Sequence, residues 1–352
     1  MIHRGEMLRK LALNAARLSG LTSLASRLTA GAGAILMLHR VTAAPPKRYG
    51  FNRHLAVRPD FLDAVLADMK RSGFVFVDMD EVMERLKGGC TRERFATITL
   101  DDGYRDNLLE ALPVFERHGT PFTIYVAPAL IEGTIDLWWD VLEDVVASRE
   151  RIWLATSKGR MAFDCSTPAA KLRANGAIQA YLTNELPEEQ RSAALRELAR
   201  STGVDYRAPG RETLMNWDEI RRISDHPLGT IGAHTMSHHN LRRLGEDAVA
   251  AEMRDGARVL ELETGLKPRH FAYPYGYEAA VGPREVRIAA EVGFDTAVTT
   301  RHGVLRPDHA RHLHALPRIS INGRYQQVNH VRTMLAGVTT PLANRGRTVV
   351  TV

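Results

Sequence analysis

Past residue 32 the chain alternates between two hydrophobic rhythms. Short, nearly continuous apolar runs at residues 34–39, 74–77, 95–100 and 122–126 predict buried β-strands. Between them, apolar residues recur every three to four positions over 59–71, 80–87 and 107–117, which predicts helices. Continuous apolar strands joined by helices imply a parallel sheet covered on both faces. The rhythm then stops. Between Pro128 and Leu228 the pattern is polar and helical, with helices expected near 137–149, 169–184, 187–201 and 216–224, so this stretch reads as an insertion or lid. Strand-like runs resume at 230–234, 271–273, 296–299 and 316–321, with helices at 248–263, 283–292 and 325–335. About seven to eight strands with helical crossovers predict an α/β fold, a distorted parallel (β/α) barrel carrying a helical insertion.

The expected organisation is a basic amphipathic helix over residues 1–32, a barrel over 33–336 with its insertion at about 129–228, and a tail over 337–352 without a clear pattern. In the first segment Arg4, Arg9, Lys10, Arg17 and Arg27 break up the leucines, leaving no uninterrupted core of a secretion signal. Two readings stay open for it: a helix lying on an anionic membrane surface, or one closing the bottom of the barrel. No run approaches the roughly 18 to 20 apolar residues that span a bilayer. A cytoplasmic location, at the inner membrane surface, is therefore expected.

Composition narrows the field without naming a function. With 352 residues, 44% hydrophobic and 25% charged, the chain is ordinary for a globular protein. Its net charge of +6 is spread along the sequence and lacks basic-aromatic clusters, so nucleic-acid binding is not expected. Cys90 and Cys165 are far apart, which excludes a disulfide framework and a cysteine zinc site.

Chemistry concentrates where predicted strands end. Asp101 and Asp102 follow Thr99-Leu100 and precede Gly103; adjacent carboxylates at the mouth of a buried strand call for a cation or a shared proton. His234 and His238 follow another strand, at a spacing that would put both imidazoles on one helical face, with His239 as a further candidate. Parallel β/α folds gather functional groups at such strand ends, so an Asp and two His could hold one metal while the second Asp acts as base. Tyr275 lies in the turn Tyr273-Pro274-Tyr275-Gly276, which could aim a backbone N–H at a developing oxyanion. His39 ends the first strand and could protonate a leaving amine or simply complete the barrel.

Together these residues resemble the polysaccharide deacetylases with a NodB homology domain, carbohydrate esterase family 4. Thr99 to Gly103 is similar to the family's T-F-D-D-G motif, His234-Thr235 with His238 to its histidine motif, and Tyr273 to Gly276 to its third motif. The resemblance implies that Asp101 is the catalytic base, that Asp102, His234 and His238 hold a divalent metal, and that Tyr275 lends its backbone N–H to the oxyanion. It implies His39 as general acid, at the N-terminal side as in circularly permuted members, with His312 and His314 as rivals. Two positions depart from the family. Ala272 stands where many members carry an arginine orienting the base, a role Arg318 could assume, and Asp295 matches an Asp-Trp element without its tryptophan. Zinc is the expected ion, with cobalt, nickel or iron also fitting such ligands. The implied substrate is an N-acetylated oligo- or polysaccharide, hydrolysed to acetate and a free amine, and Trp138 and Trp139 could stack on its sugar rings or belong to a core. A non-sugar amide substrate, or an inactive carbohydrate-binding barrel, are the alternatives.

Overall fold

A computed structural model of the chain describes residues 29–89, 93–156 and 159–352. The expected N-terminal helix falls almost wholly outside the described residues, as does Cys90. Apart from a two-residue pair at Arg40–Val41 and Ala56–Val57, ten strands and ten longer helices organise the described residues. In chain order the first half supplies β1 (Gly33–Leu38), α1 (Pro59–Arg71), β2 (Val75–Phe76), α2 (Met79–Lys87), β3 (Phe95–Asp101), α3 (Leu112–His118) and β4 (Phe122–Val126). Then follow α4 (Trp138–Ser148), β5 (Arg151–Thr156), β6 (Gly159–Asp164), α5 (Pro168–Ala180), α6 (Glu188–Thr202) and α7 (Trp217–Ser224). The remainder is β7 (Gly229–Ala233), α8 (Glu246–Thr264), β8 (His270–Ala272), α9 (Pro283–Val292), β9 (Thr296–His302), β10 (Leu316–Ser320) and α10 (Val328–Leu335). No described helix is long and apolar enough to cross a membrane.

Seven parallel strands close a ring in the order β1, β3, β4, β7, β8, β9, β10, and β10 pairs back onto β1 through Leu36 and Ile319. The eighth strand stays outside. Strand β1 occupies one edge of β3 from Phe95 to Leu100, and β4 takes the other edge from Ile98 onward. Only Phe95 and Ala96 remain for β2, so the run expected at 74–77 orders just two residues as strand. Helices cover the outside of the ring. Ala34, Leu36 and Leu38 of β1, with Ala96, Ile98 and Leu100 of β3, pack outward against α1 residues such as Leu62 and Leu66. Ile35, Phe95, Tyr125, Val298 and Leu316 fill the barrel itself. This strict alternation is the period-two geometry of a strand, and it decides which later residues face the barrel axis.

The stretch after β4 departs from the all-helical expectation. Strands β5 and β6 pair antiparallel, Ile152 with Phe163 and Leu154 with Met161. In β5 the alternation of buried Ile152 and Leu154 with exposed Arg151, Trp153 and Ala155 is a short strand signal that neighbouring helical patterns hid. The buried faces of β5, α4, α5 and α6 make a second core around Val141, Val145, Ile178 and Leu195, which also encloses the buried free thiol of Cys165. Beyond residue 336 the tail forms a short helix at Thr339–Ala343 and buries Val350.

A candidate active site at the C-terminal mouth of the barrel

Strand parity brings the site together. Phe95 faces the barrel interior, so Asp101, six residues on, faces it too; by the same count from Ile35 and Leu316, His39 and Arg318 point inward. Asp102 would point outward if the strand continued. Its φ of 74° ends the strand and turns its carboxylate back to the mouth. Among the described residues five non-glycines have positive φ, and four of them, Asp102, Thr235, His238 and Tyr275, sit here. Such conformations cost of order 1 kcal/mol each and persist where surrounding contacts over-determine them. Asp101, Asp102, His39, His234, His238 and Tyr275 all line one cavity of about 520 Å³.

Asp101 is held by an arginine from the last strand. Arg318 donates from both terminal nitrogens to the two Asp101 oxygens at 2.8 Å each, and also to Thr99 Oγ1 at 3.1 Å and, through Nε, to the Thr299 carbonyl at 2.9 Å. Both partners are buried. Burial alone would raise the Asp101 carboxyl, but the Arg318 guanidinium outweighs it and holds the group below the ordinary carboxylate range. The Asp101 carboxylate is thus ionised and fixed in orientation by a two-pronged bond.

Asp102, His234 and His238 offer ligand atoms that all lie within 4.8 Å of one another, all three residues being buried. Asp102 Oδ1 lies 3.2 Å from His238 Nε2 and 3.6 Å from His234 Nε2, yet it is buried with no hydrogen-bond partner. A buried carboxylate oxygen without a donor, flanked by two imidazole nitrogens, is the arrangement that a divalent cation satisfies. The His234 tautomer agrees. Its Nδ1–H donates to the Ala272 carbonyl at 2.7 Å, which leaves Nε2 as a lone pair aimed at Asp102. Burial, and the neighbouring His238, lower the His234 pKa to about 4, keeping it neutral for ligation.

The two histidines do not meet on a helix, as their spacing suggested. Residues 235–237 form a tight turn, closed where His238 N donates to Thr235 Oγ1 at 2.9 Å. Helix α8 moulds that turn: Glu252 Oε2 accepts from the backbone of Met236 and Ser237, and a Cβ on Gly256 would lie 2.6 Å from the Thr235 carbonyl. His239 faces away from the cluster, its Nδ1 3.3 Å from Glu252 Oε1.

His39 enters the cavity beside both carboxylates, and its carbonyl accepts from Asn107 at 2.9 Å. His314 spends its Nε2 on the Phe294 carbonyl, and neither it nor His312 lines the cavity. Asp295 is likewise elsewhere, paired with Arg269 at 2.6 Å on the surface. A ring has no first strand: β1, which carries His39, lies between the strand of Asp101 and the last strand, β10. Tyr275 sits in a left-handed turn whose carbonyl accepts from Thr300, and its hydroxyl accepts from Trp138 Nε1 at 3.1 Å. Trp138 and Trp139 both line the cavity and both belong to the packing of the second core.

The stretch between β4 and β7 braces the motifs, which no local pattern announced. Met215 N donates to the Gly103 carbonyl and Arg105 N to the Thr213 carbonyl, fixing the loop after Asp102. Buried Glu188 on α6 accepts from Asn240 N and from Arg243, each at 3.0 Å, and forms an ion pair with Arg191 at 2.9 Å. Arg191 lies against the rings of Trp138 and Tyr275. The Trp139 ring stands 5.3 Å from that of His238.

Comparison with known proteins follows this geometry. A polysaccharide deacetylase family model matches residues 176–297, the segment holding His234, His238 and Tyr275. The structure is similar to the Streptococcus pyogenes deacetylase PplD in complex with acetate, at 19% identity and a TM-score of 0.57, over 86% of this chain and 97% of that one. It is also similar to IcaB from Ammonifex degensii (19%, 0.53, 87% and 97%) and to a de-N-acetylase from Aggregatibacter actinomycetemcomitans (11%, 0.52, 86% and 99%). The family model covers about a third of the chain, and the structural likenesses extend over most of it. No curated protein sequence matches the chain significantly.

Proposed function

We propose that the protein removes acetyl groups from N-acetylated sugars of an oligo- or polysaccharide. The observation that carries this reading is the coincidence, in one cavity, of an arginine-held carboxylate, Asp101, with the buried Asp102, His234 and His238 cluster. The polysaccharide deacetylase family model and the similarity to deacetylase structures support it. A divalent cation bound by that cluster would acidify a coordinated water and polarise the amide carbonyl. Asp101 takes the proton of the attacking water, and Arg318 keeps it in line to do so. The Tyr275 backbone N–H faces the oxygen on which negative charge develops. His39 gives a proton to the departing sugar amine, so that acetate and a free amine leave.

The rest of the cavity suits sugar. Trp138 and Tyr277 offer ring faces, and Asn52, Asn175 and Gln179 offer amides, with Asn175 Oδ1 buried and without a partner. Acetate release from N-acetylglucosamine oligomers by zinc-reconstituted protein tests the reading, with Asp101→Asn and Asp102→Ala alongside. Release is expected from the parent protein, loss of at least about a hundredfold in Asp101→Asn, and loss of bound metal from folded Asp102→Ala. Metal-loaded protein that leaves every oligomer intact would overturn it.

A further inference from the structure

One charge in the cavity has no task in that chemistry. Arg324 is the only Lys or Arg among the described residues lining the cavity, and it is half-buried. Several other cations near the cavity have carboxylate partners: Arg318 has Asp101, Arg191 and Arg243 share Glu188, and Arg40 has Asp106. No carboxylate pairs with Arg324 among the described residues.

Its position is nonetheless built. The segment after β10 docks against residues 53–58, where Gly323 N donates to the His54 carbonyl at 3.1 Å and Arg58 N donates to Gln326 Oε1 at 2.8 Å. The approach is so close that a Cβ on Gly323 would lie 2.1 Å from the Arg53 carbonyl oxygen and 2.4 Å from that of Ala56. Asn322 Oδ1 accepts from Arg324 N at 3.1 Å, and its amide nitrogen donates to Ser320 Oγ. The groups beside Arg324 in the wall are neutral: Asn322, Ser320, Asn52 and His54. Burial, aided by the Arg324 charge and by His39, lowers His54 to about 4, so His54 adds no charge of its own near neutral pH.

We propose that Arg324, with Asn322 and His54 beside it, forms a subsite for an anionic group, carboxylate or phosphate, carried by the same sugar chain whose acetamide reaches Asp101. The inference rests on the deacetylase reading for the identity of the ligand as a glycan. A ligand filling the cavity displaces the water that solvates the guanidinium. A neutral sugar would leave that charge without compensation, whereas an anion restores it with a charge-assisted hydrogen bond. The net charge of +6 favours approach of the same class of ligand.

Binding without turnover separates this proposal from the activity itself. Calorimetry on Asp101→Asn protein compares three tetrasaccharides: neutral N-acetylglucosamine, alternating N-acetylglucosamine and glucuronate, and 6-phosphorylated N-acetylglucosamine. At least one anionic ligand should bind about tenfold tighter than the neutral one, as one charge-assisted hydrogen bond supplies. The tighter of the two identifies carboxylate or phosphate as the preferred source. The preference should shrink as salt rises from 50 to 500 mM, fall to within about twofold when Arg324→Gln is added, and survive in part with Arg324→Lys. Equal affinity for neutral and anionic ligands, or a preference that Arg324→Gln leaves intact, would overturn the subsite. An Arg324-dependent preference in a protein whose parent releases no acetate would instead sustain the subsite and remove the deacetylase reading.

Discussion

Arg318 shows how much rests on one side chain. It is fully buried, its charge is matched only by Asp101, and two of its three nitrogens are committed to that carboxylate. Removing it by Arg318→Met leaves Asp101 buried and uncompensated, a change expected to destabilise the fold by about 3–5 kcal/mol. Arg318→Lys keeps the charge and loses the fork, so it should recover most of the stability measured by urea denaturation. It should still lower kcat of acetate release at least about tenfold with little change in KM, because a one-pronged contact no longer fixes the carboxylate. Full activity in Arg318→Lys would show that orientation by the guanidinium fork is dispensable.

At the scale of elements, α6 acts on the loop that follows His234 and His238 without touching their imidazoles. Glu188 joins the helix to the backbone at Asn240, two residues past His238, and neutralises Arg191 and Arg243. Glu188→Gln keeps the shape, removes the buried anion and leaves two arginines facing one another. A loss of about 3–5 kcal/mol in stability is expected, together with weaker metal retention on dialysis against a chelator. Unchanged metal retention would mean that the turn from Thr235 to His238, its Glu252 contacts and the packing of Gly256 against it suffice to hold the ligand.

Across the whole molecule, the join between the barrel and the second core carries its own pH signature. Asp140 on α4 is buried where residues 51–52 reach across; it accepts from Asn52, and burial, only partly offset by Lys47 and Arg40, raises its pKa from 3.8 to about 6. The folded protein therefore holds a proton that the unfolded chain releases, and stability falls as pH rises from about 4 to about 6. Asp140→Asn should abolish that loss, gaining at most about 3 kcal/mol near pH 7 and progressively less toward pH 4, as read from urea midpoints. A gain of equal size at both ends would trace the effect to packing and not to charge.

The alternation of buried positions determined the parallel sheet, most helix positions and the inward parity of His39, Asp101 and Arg318, because strand and helix periods are local properties of the backbone. The adjacent aspartates and the paired histidines marked the site for the same reason: each motif is contiguous. Four things were settled only by closure of the barrel. The run at 74–77 was left out of the ring because β3 had only its first residues to spare. The histidines met through left-handed turns held by Glu252, not along a helix. Arg318, more than 200 residues from Asp101, reached its carboxylate only when the last strand closed onto the first. The stretch from α4 to α7, read as an insertion or lid, braces both motif loops through Glu188 and Met215. Periodicity specifies which face of an element is buried, but the partner across that face depends on contacts between residues distant in sequence, which no local pattern encodes.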